Sequence, residues 1–499
     1  MTKFKPLISN SVKIALPLAV ACTACQQKAE KPNIVFILVD DYGYTDLGCY
    51  GSTFYETPNI DNLARQGTRF SNAYAACPVS SPTRAALMTG KYTVNTGVTD
   101  WIPGRQTYSP GLPEDRNLSL PFNQKLDLEE TTIAEVLKQD GYITMISGKW
   151  HLGEDSIYWP EYQGFDINKG GAGKGSPTKN DSYNGYFTPY GNPRLKDGPS
   201  GEYLTDRNMD EVISFIKENK DRPFFVYLPF YAVHNPMQAK QDDIEYFERK
   251  AESMGLTGME AFTTDRAWIR TAPNGNFRER IIHSNAVYAA MIKCVDDNIG
   301  KLISTLSESG IGDNTVIFFT SDNGGLSTSE GSPTCNLPLR AGKGWLYEGG
   351  IRVPLIIKDP LIENMPSVCD VPVSTIDFFA TISEMTGVKT NSKTDGISII
   401  SVLESQPVTD RPLFWHYPHY SNQGGDPGSA VRYGYYKLID NFETGRQELY
   451  DLQVDISETT DISSKNPGKT KELYNLLIEW REKTGAKMML PNPAWNFIE

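Results

Sequence analysis

The chain has 499 residues, 61 of them acidic and 48 basic, for a formal charge of −13. That length exceeds one ordinary compact core and points to two domains. The acidic balance, with no lysine- or arginine-rich tract, argues against nucleic acid as a partner. Any site that takes an anion must supply its own local cations.

Lys3, Lys5 and Lys13 precede an apolar stretch from Ile14 to Ala21. It is too short to span a bilayer and reads as an export leader over residues 1–25. Small residues run into Cys22 and Cys25, which resembles a bacterial lipoprotein signal. The expected location is then the periplasm or outer membrane, with a lipid anchor on one of those cysteines. Plain cleavage of a secretory signal is the other reading. No later segment looks transmembrane.

Asn33 to Val39 is continuously apolar after its first residue, as in a central parallel strand buried on both faces. Asp40 and Asp41 follow it. Helical patterns near 58–66, 131–139, 206–219, 278–307 and 374–386 alternate with strand-like runs at 142–147, 224–228, 315–320 and 353–357. This predicts an α/β domain over 30–388, with a large, mostly parallel sheet sandwiched by helices. Ligand sites in such folds lie beyond the carboxyl ends of the strands. Residues 168–199 are long for a connection and either rim a cleft or form a surface loop. Over 389–499, short strands at 412–415, 430–433, 436–439 and 448–451 precede a helix at 470–484. They predict a smaller α+β subdomain with an antiparallel sheet.

Besides Cys22 and Cys25, cysteines stand at 49, 77, 294, 335 and 369. These five show no Cys-x-x-Cys spacing, so neither zinc nor a redox motif is implied. Cys77 reads as a buried small residue.

The richest stretch is Ser80-Ser81-Pro82-Thr83-Arg84, ending Leu87-Met88-Thr89-Gly90. It predicts a helix over 83–88, with proline in its first turn and glycine at its end. Ser80 alone reads as an N-cap, or as a small hydroxyl where free N–H groups favour an anion. Asp40-Asp41 and Asp322-Asn323 each end an apolar strand. Singly such pairs are commonly turns. Together they offer a hard, all-oxygen site suited to Ca²⁺ or Mg²⁺ rather than zinc. Further blocks are Gly148-Lys149-Trp150-His151-Leu152-Gly153, the run Pro229 to Pro236 with His234, Arg340-Ala341-Gly342-Lys343-Gly344, and Tyr347 to Pro354 with Arg352. A lone Lys or His in such a loop carries no assignment.

In this order the blocks resemble those of the type I, formylglycine-dependent sulfatases. These are arylsulfatase-like enzymes of the alkaline phosphatase superfamily, and the likeness covers residues 32 to about 358. The chain as a whole resembles gut-bacterial carbohydrate sulfatases, and the segment from Tyr436 to Asp461 resembles the family's C-terminal subdomain. The resemblance implies a sulfuric ester hydrolase that removes O-sulfate from sulfated glycans, acting on chain ends. It implies that Ser80 is converted to formylglycine (3-oxoalanine). The hydrate of that aldehyde attacks sulfur, and its second hydroxyl then expels sulfate. It implies one Ca²⁺ per chain on Asp40, Asp41, Ser80, Asp322 and Asn323. Arg84 would brace these carboxylates, and Lys149 and Lys343 would hold the sulfate. His151 would handle the hydrate proton, and His234, or failing it Lys343, would protonate the leaving sugar. The family often carries Cys where this chain carries Ser80. A Ser-type position implies an oxygen-independent radical iron–sulfur maturase as partner. Competing readings are a phosphonate or phosphodiester hydrolase of the same superfamily, and a non-catalytic sulfated-glycan-binding lipoprotein if Ser80 stays unmodified. Sugar contacts are sought at Asp100, Trp101 and Arg105, and at His416 and His419.

Overall fold

The computed structural model describes residues 1–3, 31–113, 115–178, 184–264 and 278–495. The expected leader, with Cys22 and Cys25, falls almost wholly outside the described residues. Residues 32–499 form one unit.

A single eight-stranded sheet organises that unit. Its strands are β1 (Asn33–Val39), β2 (Thr68–Phe70), β3 (Ile143–Ser147), β4 (Ile167–Lys169), β5 (Phe224–Pro229), β6 (Thr315–Ser321), β7 (Leu355–Lys358) and β8 (Val368–Cys369). Their spatial order is β8-β2-β7-β6-β1-β5-β3-β4. The pairs from β6 through β4 are all parallel, whereas β7 runs antiparallel to both β6 and β2. All seven residues of β1 are buried. Ile34, Phe36 and Leu38 enter one apolar cluster, and Val35, Ile37 and Val39 enter another. The period-2 alternation of a strand thus feeds a core on each face of the sheet.

Helices cover both faces. On the Val35 side pack α1 (Pro58–Gln66), α4 (Leu204–Asn219), α5 (Gln241–Ser253) and α6 (Ala286–Glu308). On the Ile34 side lie α2 (Ser80–Thr89), α3 (Ile133–Gln139) and α7 (Asp377–Thr386). Helix α3 opens with a capping box. Thr132 Oγ1 accepts from Glu135 N–H, and Glu135 Oε2 accepts from Thr132 N–H. Helix α6 begins at Ala286 rather than at 278. Glu279–Arg280 pairs with Phe262–Thr263, and the Asn285 side chain caps the helix. Helix α5 carried no assignment from the sequence. Ile244, Phe247 and Ala251 stand at helical spacing, but the segment is otherwise polar and buries only the last two.

The smaller sheet is antiparallel, β9 (Leu413–Tyr417), β10 (Gly428–Tyr433), β11 (Tyr436–Asn441) and β12 (Arg446–Asp451), with α8 (Pro467–Thr484) beyond it. Leu413, Trp415 and Tyr417 share a core with Tyr74, Val79 and Trp345, so this sheet backs the loops around residue 80. Among the described residues, five cysteines are free, with Cys77 buried, and no helix is long and apolar enough to cross a membrane.

Candidate active site

Four parallel strand ends deliver the polar side chains. Val39 of β1 lies in register with Ser321 of β6, so Asp40-Asp41 and Asp322-Asn323 leave the sheet side by side. On the other flank β5 and β3 release the segments that carry His234, Lys149 and His151. Gly148 must be glycine here. Its φ is +124, and a Cβ would stand 2.0 Å from the Pro229 carbonyl oxygen. That close passage lets Lys149 N–H donate to the same carbonyl at 2.7 Å.

Helix α2 spans Ser80–Thr89 and ends at Gly90 in the left-handed region, longer than the six residues the sequence predicts. Ser80 is not its N-cap. Val79 holds that place, with no side-chain cap bond. The Ser80 hydroxyl instead donates to Asp40 Oδ1 at 3.1 Å and lies 3.3 Å from both Asn323 Oδ1 and Lys149 Nζ. A helix N-terminus offers only N–H donors, so the O–H finds its acceptor in the buried Asp40 carboxylate.

Asp40, Asp41 and Asp322 are all buried and present oxygens within 4.8 Å of one another. Each meets a cation. Lys149 Nζ is 2.6 Å from Asp40 Oδ2, Lys343 Nζ is 2.8 Å from Asp41 Oδ2, and Arg84 Nη2 is 2.7 Å from Asp322 Oδ2. Arg84 Nε reaches the same Asp322 oxygen at 2.9 Å, and its Nη1 donates to the Lys149 carbonyl. Burial pushes the Asp40 and Asp41 carboxyls up. Lys149 and His234 for Asp40, and Lys343 and His234 for Asp41, carry both below the ordinary carboxylate range. Burial depresses Lys149 despite Asp40. Burial also pulls Lys343 down, but Asp41, Glu330 and Asp40 together raise it above its ordinary value.

Asn323 Nδ2 donates to Asp41 Oδ1 at 2.8 Å, which leaves its Oδ1 toward Ser80. The donor set is therefore three carboxylates, an amide oxygen and the residue-80 oxygen. With no sulfur or nitrogen ligand, it fits a hard divalent cation. Asp41 (φ 57) and His151 (φ 62) both occupy the left-handed region, which is uncommon outside glycine. Tyr288 donates to the Asp41 carbonyl at 3.3 Å and helps hold that conformation. His151 Nε2 bonds the Ile102 carbonyl and so carries the ring proton, leaving Nδ1 as a buried lone pair without a partner. Burial, then Lys149, holds its pKa well below the ordinary value, so the ring is neutral. His234 Nε2 lies 3.6 Å from Asp41 Oδ2, while Nδ1 meets the Asn235 carbonyl.

These groups floor a cleft of about 300 Å³, lined by Ser80, Lys149, His151, His234 and Lys343, with Trp101 on its wall. Four expected sugar contacts are absent from that lining. Asp100 is buried beneath Trp101, and its Oδ1 accepts from Trp101 N–H and the Tyr417 hydroxyl. Burial pushes its pKa up to about 6. Arg105 donates to the Tyr420 carbonyl. His419 is fully buried, with Nε2 on Thr99 Oγ1. His416 bonds Ser429 Oγ and the Lys487 carbonyl through its two ring nitrogens. None of these four lies in the cleft lining: Asp100, His416 and His419 are buried, and Arg105, partly exposed, is turned to the Tyr420 carbonyl. The wall instead includes Lys174, Ser176, Glu330, Asn422 and Gln423, none singled out from the sequence. The stretch 168–199 thus rims the cleft through Lys174 to Ser176.

Strand-end carboxylates that could hold a metal, a buried serine at a helix start and two lysines thus meet at one cleft of an α/β fold. The "Sulfatase" family model matches residues 32–388, and "N-sulphoglucosamine sulphohydrolase, C-terminal" matches 341–483. A "Sulfatase" of Formosa agariphila is 32% identical over 99% of this chain and 96% of its own length. An "N-acetylglucosamine-6-O-sulfatase" of Bacteroides thetaiotaomicron is 28% identical over 95% and 91%. The solved structure of Ps i-CgsB superposes with a TM-score of 0.72 at 30% identity, covering 90% of this chain and 93% of that one. Ps i-CgsB has also been solved in complex with k-i-k-neocarrahexaose. The chain belongs to the sulfatase family and is a sulfuric ester hydrolase.

Proposed function

We propose that this enzyme removes O-sulfate from carbohydrates, with formylglycine made from Ser80 as its nucleophile and one calcium ion on the acidic cluster. The observation that carries this reading is the meeting of the Ser80 hydroxyl with Asp40, Asn323 and Lys149 at the cleft floor. The sugar-active relatives support the carbohydrate assignment.

Asp40, Asp41, Asp322, Asn323 Oδ1 and the residue-80 oxygen would hold the cation. Bound there, calcium supplies positive charge that orients and acidifies an oxygen on residue 80 and offsets charge on the sulfuryl group. The Ser80 Oγ stands in for an oxygen of the hydrated aldehyde, which supplies a nucleophile and a way to release sulfate that plain serine lacks.

The chain's own groups do the rest. Arg84, permanently charged, keeps Asp322 in place through two N–H bonds to one oxygen. Lys149 and Lys343 stabilise the sulfuryl oxygens as charge spreads over them. The S–O bond to the sugar breaks, and His234 Nε2 protonates the departing oxygen. His151, neutral with a bare Nδ1, accepts a proton from the residue-80 side. The maturase would be an oxygen-independent radical enzyme, and the enzyme would work as an exported, lipid-anchored protein in the periplasm or outer membrane.

The direct test is sulfate release from a panel of monosaccharides sulfated at single defined positions, beside an aryl phosphate. Turnover of at least one sugar sulfate, and none of the phosphate, is expected. Turnover of the phosphate alone would overturn the reading.

A further inference from the structure

Lys149 and Lys343 reach the cleft floor, yet its rim carries an acid. Glu330 lines the cleft, is exposed, and holds a left-handed φ of 52 in a tight turn closed by Ser332 N–H on the Ser329 carbonyl. A strained non-glycine backbone persists only where its surroundings over-determine it. Here the Glu330 carbonyl accepts from Asn235 Nδ2 at 3.0 Å, one residue beyond His234. Its Oε1 accepts from Gln423 Nε2 at 2.5 Å. Gln423 is itself buried, and its carbonyl accepts from Thr328 Oγ1 and Trp345 Nε1. The Glu330 side chain is thus held through Oε1 by a buried glutamine, on the wall of the cleft that His234 also lines, and among the described residues Oε2 has no hydrogen-bond partner. An ionised carboxylate accepts hydrogen bonds and donates none. A hydroxyl next to the sulfated carbon can donate to Oε2, whereas a second sulfate or a carboxylate there meets a like charge.

We propose that Glu330 is a charge filter, selecting sulfate esters whose neighbouring substituent is a hydroxyl and rejecting those with a second anionic group there. The proposal rests on the sulfatase reading of the cleft floor. It adds a specificity-determining residue to that reading. The test compares kcat/KM for nitrophenyl sulfate with that for its ortho-carboxylate analogue, nitrosalicylate sulfate. Wild type, Glu330→Gln and Glu330→Lys are measured at pH 7.5 and low salt. Because both probes are measured on each variant, differences in their intrinsic reactivity cancel. The expected result is that wild type's preference for the plain probe falls about tenfold in Glu330→Gln, the scale of one like-charge contact near a protein surface. It falls further in Glu330→Lys, and added salt narrows the differences. An equal preference in all three proteins would overturn the filter while leaving the sulfatase reading intact. Failure of wild type to turn over either probe or any sugar sulfate would instead count against the carbohydrate sulfatase reading, and the filter would fall with it.

Discussion

Lys343 Nζ sits 2.8 Å from each carboxylate oxygen of Asp41. Lys149 likewise pairs with Asp40 and Arg84 with Asp322, Arg84 also lying 3.8 Å from Asp40, so three cations balance three buried acids. On the proposed reading, a divalent cation on the acids would leave the two ammonium groups to the sulfate, their charges additional to the metal's.

Removing calcium is expected to lower both activity and melting temperature. A cation bound only by the native state contributes about 2.7 kcal/mol when its free concentration is a hundred times Kd. The lysines and Arg84 keep the stripped site from flying apart, so a fall in Tm rather than unfolding at ambient temperature is predicted. Calorimetry before and after chelation checks this. An unchanged Tm, with calcium shown absent by elemental analysis, would rule the cation site out.

His234→Ala should damage sugar sulfate hydrolysis far more than aryl sulfate hydrolysis. A sugar alkoxide leaves poorly without a proton, and general acid catalysis contributes about 10²–10⁴-fold. A nitrophenolate needs little help. Measuring kcat/KM on both substrates should show a gap of that order. Equal losses would move the acid role to Lys343.

Lys437 of β11 is fully buried, 3.0 Å from Glu348 Oε1 and 2.9 Å from Glu458 Oε1. It ties the small sheet to the Glu348 segment beside the cleft loops. Lys437→Met leaves two buried acids short of a cation, a change that costs about 3–5 kcal/mol. Denaturant unfolding measures it. A loss below about 1 kcal/mol would show that Arg352, 3.2 Å from Glu348, suffices.

Buried His416 has its pKa pushed down to about 4, by burial first. The depressed value makes the neutral ring the folded form. Its contribution is complete above the ordinary histidine value near 6.5 and is lost as pH falls toward 4, about 3 kcal/mol in all. Tm measured across that window should fall less steeply in His416→Gln than in wild type. Parallel curves would show that His416 does not titrate with unfolding.

Much of the fold was legible because its central strands are unbroken apolar runs, and the acids at Asp40 and Asp322 stand where those runs stop. The acidic cluster follows from register alone, since Val39 opposite Ser321 sets the two pairs together. The orientation of the Ser80 hydroxyl was not legible, because local sequence favours a cap and only the distant Asp40 and Asn323 turn it away. Nor were Glu330 and Gln423, polar residues on separate loops that only the fold brings together. His416 and His419 are the opposite case. Histidines among aromatics suit a sugar subsite, but here both are buried away from the cleft lining, His416 with both ring nitrogens hydrogen-bonded and His419 bonded through Nε2.

The central claim is that catalysis depends on oxidation of Ser80, and one measurement tests it most directly. The tryptic peptide 70–84 contains residue 80. Its mass is read in preparations made with and without an oxygen-independent maturase, alongside their specific activity on a sulfated sugar. Formylglycine makes the peptide two hydrogen atoms lighter than the serine form. The account predicts that activity rises in proportion to the lighter fraction and vanishes with it. Full turnover by protein whose residue 80 is entirely serine would contradict it.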